Sequence, residues 1–153
     1  MIDYDVPMDD DYSVGIPSVS VLIACSDARK YNRTTTSVVL TNGASSAATN
    51  GGNVSTSPLV RIFGPCTNPT ILNQTASLTL AFTIVLGSSE RLDVDTNAGT
   101  ALIGSVDYMH ALAALSVPPE DWVLIKGVNI VSYSASSGGA NGVELQYQAA
   151  YLA

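Results

Sequence analysis

The sequence predicts an all-β protein, a β-sandwich or jelly roll, on three observations. Apolar and polar residues alternate with a period of two over residues 77–86, as expected for a strand with one buried face. Several shorter alternating segments follow at regular spacing, separated by turn residues such as Gly, Pro and Asn. Apolar residues approach helical spacing only over residues 107–116. Many short strands with at most one short helix are typical of these two architectures.

The strands of the N-terminal half are marked by local patterns. Val and Ile alternate with Ser over residues 18–24, and residues 35–41 form a second predicted strand. The apolar segment Leu59–Phe63 follows Pro58 directly, and because Pro cannot donate to a β-ladder, it suits the start of a strand. Between these strands, residues 42–57 are small and polar with Asn-Gly and Gly-Gly turns, which predicts a long loop.

The C-terminal half is predicted to hold further strands around one short helical turn. Leu92 and Val94 alternate with charged neighbours and are predicted to face the core. Residues 107–116 are predicted to form at most a turn or two of helix, which the Pro118-Pro119 pair ends. The full set of predicted strands is 18–24, 35–41, 59–63, 77–86, 91–95, 100–104, 121–125, 127–134 and 143–151.

The chain is predicted to divide into three segments. Residues 1–17 form an acidic N-terminal arm, residues 18–57 hold junction strands and the polar loop, and residues 58–153 form the β-sandwich. The arm is a candidate docking segment, since an acidic segment can order on a neighbouring subunit. Its candidate docking residues are Asp3, Asp5, Asp9, Asp10 and Asp11.

The composition excludes several classes of partner. The formal net charge is -7, and six Lys and Arg residues supply no basic patch for nucleic acid or for an anionic membrane surface. No apolar run approaches the ~18 residues that a membrane-spanning helix needs. Only 12% of the residues are charged while 46% are hydrophobic, which indicates a surface that is rich in Ser, Thr, Asn and Gly or is partly covered by a partner; the second option suggests assembly.

No catalytic, cofactor-binding or metal-ligating residues are predicted. His110 is the sole histidine, with no G-x-S-x-G motif in the chain, and it is expected to be an ordinary surface or core residue. Residues 93–99 resemble the start of a calcium loop, but Ala98 and Gly104 stand where that loop needs Gly and Glu. Cys25 and Cys66 have no metal-site spacing and are expected to be small buried side chains, with a disulfide as the alternative that the sequence leaves open.

Trp122 is the single tryptophan and the candidate carbohydrate contact. Its position between Pro118-Pro119 and an apolar segment favours packing in the core, whereas an exposed indole beside a groove would stack on a sugar ring. Four tyrosines could line such a groove, although the sequence does not place them together. They are Tyr108, Tyr133, Tyr147 and Tyr151.

Several segments of the chain occur in a recognisable order. "ACSDARKY" (24–31) and "TNGGNVSTSPLVRIFGP" (49–65) resemble two segments of siphophage distal tail proteins: the A-x-DPR-x-Y signature at their domain junction, and the segment that opens their C-terminal galectin-like sandwich. "LIKGVNIVSYS" (124–134) is similar to a turn and strand of that domain, and "VELQYQAAYL" (143–152) to its closing strand. The resemblance covers roughly residues 18–153, and minor tail proteins of actinobacterial phages share this domain.

The resemblance implies a galectin-like sandwich in a non-enzymatic virion structural protein of the tail tip, a distal or minor tail component. It implies a homo-oligomer that contacts other phage tail or virion proteins, made in the bacterial cytoplasm and located in the virion. Only a short arm precedes the junction here, where complete distal tail proteins carry a ring-forming belt domain, which favours an accessory tail-tip role.

Two alternative functions stay open beside this interpretation. One is a carbohydrate-binding module that attaches the virion to a host-surface glycan. The other is a capsid or tail decoration protein. Exposure of Trp122 beside a groove would favour the first alternative.

Overall fold

The computed structural model describes residues 27–152, which form short strands and two turns of 3-10 helix. The predicted arm 1–17, the predicted strand 18–24 and Cys25 lie outside these residues. The 3-10 turns are Met109–Ala111 and Pro119–Asp121. The strands are β1 Lys30–Tyr31, β2 Thr36–Leu40, β3 Ser45–Asn50, β4 Leu59–Phe63, β5 Cys66–Thr67, β6 Thr70–Asn73, β7 Leu78–Ala81, β8 Val85–Leu86, β9 Arg91–Asp95, β10 Thr100–Ile103, β11 Val106–Asp107, β12 Gly127–Ser134, β13 Ser137–Gly138, β14 Val143–Tyr147 and β15 Ala150–Tyr151.

Two antiparallel sheets make up the sandwich, which confirms the predicted fold class. The larger sheet has six strands in the order β11-β10-β9-β4-β14-β2, and the smaller has four in the order β3-β12-β6-β7. Two minor sheets, β13-β5-β8 and β1-β15, extend its ends. Strands β4, β9 and β12 have the bounds expected from the sequence.

The core lies between the inner faces of the two sheets. Val60 on β4 pairs with Val94 on β9 and with Leu145 on β14, and all three side chains are buried. From the smaller sheet, Ile71 on β6 and Val131 on β12 join the same cluster. Full burial of each such side chain contributes roughly 1.5–3 kcal/mol. The inward positions predicted for Leu92 and Val94 are confirmed.

The predicted ten-residue strand 77–86 is wrong as a single element, although its alternation is right. Leu80, Phe82 and Leu86 are buried, but β7 ends at Ala81 and β8 begins in another sheet. After Ala81 the pairing partner changes: Phe82 forms a bridge with Leu112, and the Thr83 N–H donates to the Ala111 carbonyl at 2.7 Å. The alternation continues because the core stays on the same side of the chain.

The loop predicted over residues 42–57 is also wrong, because it contains β3. This strand pairs with β12 along its whole length, from Ser45↔Ser132 to Asn50↔Gly127. The chain enters β3 through Gly43, whose φ of +81° suits Gly. Small Ser and Ala side chains give little strand signal, so only the pairing partner reveals the strand. Strand β2 belongs to the larger sheet and β3 to the smaller sheet.

The segment between β11 and β12 contains the short helical turn that was predicted but lacks the predicted strand. Residues 107–116 form one 3-10 turn, because the following backbone bonds to β7: the Ala113 N–H donates to the Ala81 carbonyl at 2.9 Å. Residues 121–125 are not a strand, and only Leu124 pairs there, as an isolated bridge to Thr56. At residues 121–125, tertiary hydrogen bonds therefore replace the predicted strand.

Two buried asparagine side chains fasten this segment to the smaller sheet. The Asn129 amide accepts from the Ile125 N–H at 2.9 Å and donates to the Ile125 carbonyl at 2.8 Å. The Asn73 amide donates to the Asn129 side-chain oxygen and to the Val123 carbonyl, both at 3.0 Å. Because buried polar groups must be paired, these amides determine the path of residues 123–125.

We expect Asn129→Ala to lower the free energy of unfolding by about 2–4 kcal/mol, because it leaves several buried polar groups unpaired. Val128→Thr is the matched control: Val128 is exposed and next in sequence, so this change should stay within about 0.5 kcal/mol. Urea unfolding followed by tryptophan fluorescence measures both. Equal effects of the two substitutions would contradict the role of the amide.

Candidate functional site

The outer face of the larger sheet carries a row of charged side chains. Arg61 on β4 lies opposite Glu144 on β14 and opposite Asp93 on β9. Its Nη1 is 3.5 Å from Glu144 Oε2, and its Nε is 3.9 Å from Asp93 Oδ1. Arg91 completes the row with a 2.7 Å contact to Asp93 Oδ2. Opposite charges directly across strands stabilise the pairing, and we call this row the charge ladder.

Glu144 is held in its ionised form by uncharged neighbours as well as by Arg61. The Ser37 hydroxyl donates to Glu144 Oε1 at 2.6 Å, and the Gln146 amide donates to the same oxygen at 3.0 Å. These hydrogen bonds, the Ser37 bond first, lower the pKa of Glu144, and Arg61 adds to the effect. The edge strand β2 is thereby tied to the charge ladder.

A groove of about 280 Å³ lies beside the charge ladder at one end of the larger sheet. Above it, the Arg29 guanidinium lies 5.7 Å from the centre of the Tyr31 ring. Hydrogen bonds from Arg29, followed by one from Tyr31, lower the pKa of Asp27 to about 2. The groove is lined by Tyr31, Thr35, Thr56, Ser57, Leu59, Asp95, Gln146, Tyr147 and Gln148.

The outer face of the smaller sheet has the opposite character. Its four strands contain no charged residue. Val128 and Ile130 project from the central strand β12 with 55% and 38% of their surface exposed. Their neighbours on β3, Thr49 and Ala47, are small. We call this surface the uncharged face; an exposed apolar patch of this kind is typical of an interaction site.

Trp122 lies in the core, as its sequence neighbours favoured. Its side chain is fully buried, and its indole N–H donates to the Leu78 carbonyl at 3.1 Å. No face of the ring is open for a sugar to stack on, which counts against the candidate carbohydrate contact. Of the four tyrosines, Tyr133 and Tyr147 are buried, Tyr108 is partly buried, and Tyr151 is exposed on β15.

Among the described residues, the remaining sequence candidates are His110 and the calcium-like segment 93–99. The five arm aspartates lie outside the described residues. Exposed His110 stacks near Tyr108, with ring centres 5.4 Å apart. In the calcium-like segment, Asp95 accepts from the backbone N–H of Asn97 and Ala98 and so closes a turn. Residues 27–152 contain no cluster of three or more His, Cys, Asp or Glu side chains placed to hold a metal.

Cys66 is a buried thiol, as the sequence predicted. It lies on β5 at the end of the sandwich, and burial raises its pKa. A raised pKa disfavours the thiolate, which is the reactive form.

Among residues 27–152, no helix is long and apolar enough to cross a membrane.

The groove and the uncharged face were both missed by the sequence reasoning. The signal for the uncharged face was available, because β3, β6, β7 and β12 carry no charge in a chain that has six basic and thirteen acidic residues. The groove had no such signal, since its lining comes from distant segments such as Tyr31 and Gln146.

Comparison with known proteins identifies a relative in fold alone. No family model matches the chain, and no curated protein sequence does. The crystal structure of the Dit protein of phage SPP1, described as a paradigm of the hub adsorption apparatus in phages that infect Gram-positive bacteria, matches with a TM-score of 0.67 and 15% identity. The match covers 99% of this chain and 58% of the Dit chain, so this chain spans less than two thirds of that protein.

The lowered pKa of Glu144 predicts a pH-dependent contribution to stability. Because the folded pKa lies below the ordinary value of about 4.3, the stabilisation is present above that value and is lost as the pH falls through the folded pKa. Glu144→Gln should therefore be less stable near neutral pH, by at most about 1 kcal/mol, and should approach the original protein in acid.

Urea unfolding over a series of pH values measures this difference. Ser37→Ala keeps the carboxylate but removes the leading cause of the lowered pKa, and it should lose part of the same pH-dependent stabilisation. A difference between Glu144→Gln and the original protein that stays constant with pH would contradict the assignment.

Proposed function

We propose that this protein is a non-enzymatic structural component of a bacteriophage virion, positioned at the tail tip as a distal or minor tail protein. The observation that carries the proposal is the likeness in fold to SPP1 Dit over 99% of the chain. The sequence resemblance to distal tail proteins was drawn from different features, the junction and turn segments, and it points to the same group of proteins.

The proposed mechanism is assembly through surfaces rather than chemistry. The uncharged face offers Val128 and Ile130 to a partner without the cost of desolvating a charge. The charge ladder on the opposite sheet pairs its own charges and suits a surface that faces water. A specific protein interface typically buries about 1,200–2,000 Å² and has few charges at its centre, which fits the uncharged face better.

In this function the partners are further copies of the chain and other tail or virion proteins. The protein would be made in the host cytoplasm and reside in the virion. A decoration protein of the capsid or tail would use the same kind of surface, so the position on the virion is the point to test first.

A carbohydrate-binding module is the second candidate, and it now depends on the groove instead of Trp122. Asp95, Gln146 and Gln148 present polar groups there beside Tyr31. Such groups can hydrogen-bond sugar hydroxyls, but the Arg29 guanidinium already occupies a position over the Tyr31 ring. A glycan-binding screen with Gln146→Ala as the comparison variant tests this candidate: saturable binding that the variant lacks would favour it.

The test of the proposed function is the location and assembly state of the protein. We expect mass spectrometry of purified virions to detect the chain, and tail-tip labelling to place it at the distal end. Light scattering of the purified protein, alone and with neighbouring tail proteins, should show an oligomer or a complex. A clean monomer that is absent from virions would overturn the proposal.

Deletion of residues 1–15 is expected to weaken docking to other virion proteins but to leave the sandwich folded. The reason is that this segment carries five aspartates, whereas the charges of the remaining chain are nearly balanced. Replacing Asp9, Asp10 and Asp11 with Asn is the matched test of charge at constant length. Unchanged assembly of the truncated chain, measured by light scattering, would show that the arm plays no part in docking.

A further inference from the structure

Two of the four edges of the main sheets are protected against pairing with another chain, and a third is bonded at one carbonyl only. At the β7 edge, the Val117 N–H donates to the Thr79 carbonyl and the Ala113 N–H to the Ala81 carbonyl, both at 2.9 Å. Strand β11 has two residues, one of them Asp107. At the β3 edge, the Tyr147 hydroxyl donates to the Thr49 carbonyl at 3.3 Å. Covering, shortness and charge are the usual protections of an edge strand.

The fourth edge, β2, has its outward backbone groups open. The Phe63 N–H donates to the Gly142 carbonyl, so the even-numbered residues of β14 direct their backbone groups toward β4. The odd-numbered residues of β14 therefore bond to β2, where Val143 pairs with Leu40 and Leu145 with Val38. By the same alternation, the N–H and C=O groups of the two intervening β2 residues point away from the sheet.

These two residues are Ser37 and Val39. Within residues 27–152, no hydrogen bond reaches the backbone groups of either residue. The strand sequence TSVVL contains no charge and no Pro, and Val39 exposes 64% of its surface. Strand β2 therefore lacks the covering, shortness and charge that protect the β7 and β11 edges.

We propose that β2 pairs antiparallel with β2 of a second copy of this chain, about a two-fold axis at Val38. In this register Ser37 lies opposite Val39 of the other copy, and every open N–H and C=O of these residues finds a partner. The larger sheet then continues from one copy into the next. The proposal deepens the proposed function by naming one contact of its homo-oligomer, and it rests on that function for the choice of a second copy.

The strand is self-complementary, as a two-fold contact requires. On the outer face, each Val39 packs beside a Ser37, and at the axis the two Val38 side chains meet and extend the core. Strand β2 itself carries no charge, and the two β14 strands that carry Glu144 lie three strand spacings apart, about 14 Å, which is beyond the Debye length of about 8 Å at physiological salt.

Cysteine cross-linking tests the register directly. Val38→Cys, in a Cys25→Ser background, places two thiols opposite each other at a position where Cα atoms lie about 4.5 Å apart, within disulfide range. Oxidation with diamide should give a disulfide-linked dimer on a non-reducing gel. Val85→Cys, at an exposed position on β8, is the control and should stay monomeric.

Hydrogen bonding at the edge is tested by Val39→Pro, which removes one outward N–H but no bond within the sheet. We expect the original protein and Val39→Thr to form a concentration-dependent dimer in sedimentation, and Val39→Pro to shift to monomer while its circular dichroism is unchanged. If Val39→Pro does not fold, the Val38→Cys result decides.

Two results would overturn the pairing: a monomer at millimolar concentration, or a Val38→Cys variant that cross-links no faster than Val85→Cys. Either would mean that this edge is left open, or is filled from within the same chain or by a different protein. Detection of the chain at the tail tip of virions is independent of both results, so the proposed function can stand when the pairing fails.

Discussion

The buried amides of Asn73 and Asn129 attach residues 123–125, which are not part of a strand, to the smaller sheet. Asn129 on β12 bonds the backbone of Ile125, and Asn73 on β6 bonds the backbone of Val123. Trp122 directly precedes this segment, so the amides also determine where the indole enters the core. Because a buried amide must have its hydrogen bonds satisfied, this network restricts how the two sheets close over the core.

The two outer faces of the sandwich differ in charge. Arg61, Asp93 and Glu144 form a ladder on the larger sheet, whereas the four strands of the smaller sheet are uncharged. A chain with 12% charged residues can in this way keep one face hydrated and offer the other to a partner. The open edge at β2 lies on the hydrated sheet, so edge pairing and face-to-face docking could operate together in an assembly.

The sequence predictions were accurate for strands with a local sequence signal and inaccurate for strands that depend on pairing with a distant segment. Strands β4, β9 and β12 were predicted with their observed bounds, because alternation of large apolar residues is a local signal. Strand β3 was missed, since its Ser and Ala residues become a strand only beside β12. Trp122 was placed in the core from its neighbours alone, whereas the groove had no local signal.

Burial along a strand depends on residues two positions apart, and this is why the amino-acid pattern alone predicted the sandwich and most of its core. Sheet order, register and edges depend on which distant segments meet. Ser37 and Glu144 are 107 positions apart, yet their hydrogen bond helps to attach β2 to the larger sheet. The opposite edge of β2 remains open. Loop closure and packing of the whole chain select such pairs, so the candidate surfaces appeared only once the strands were assembled.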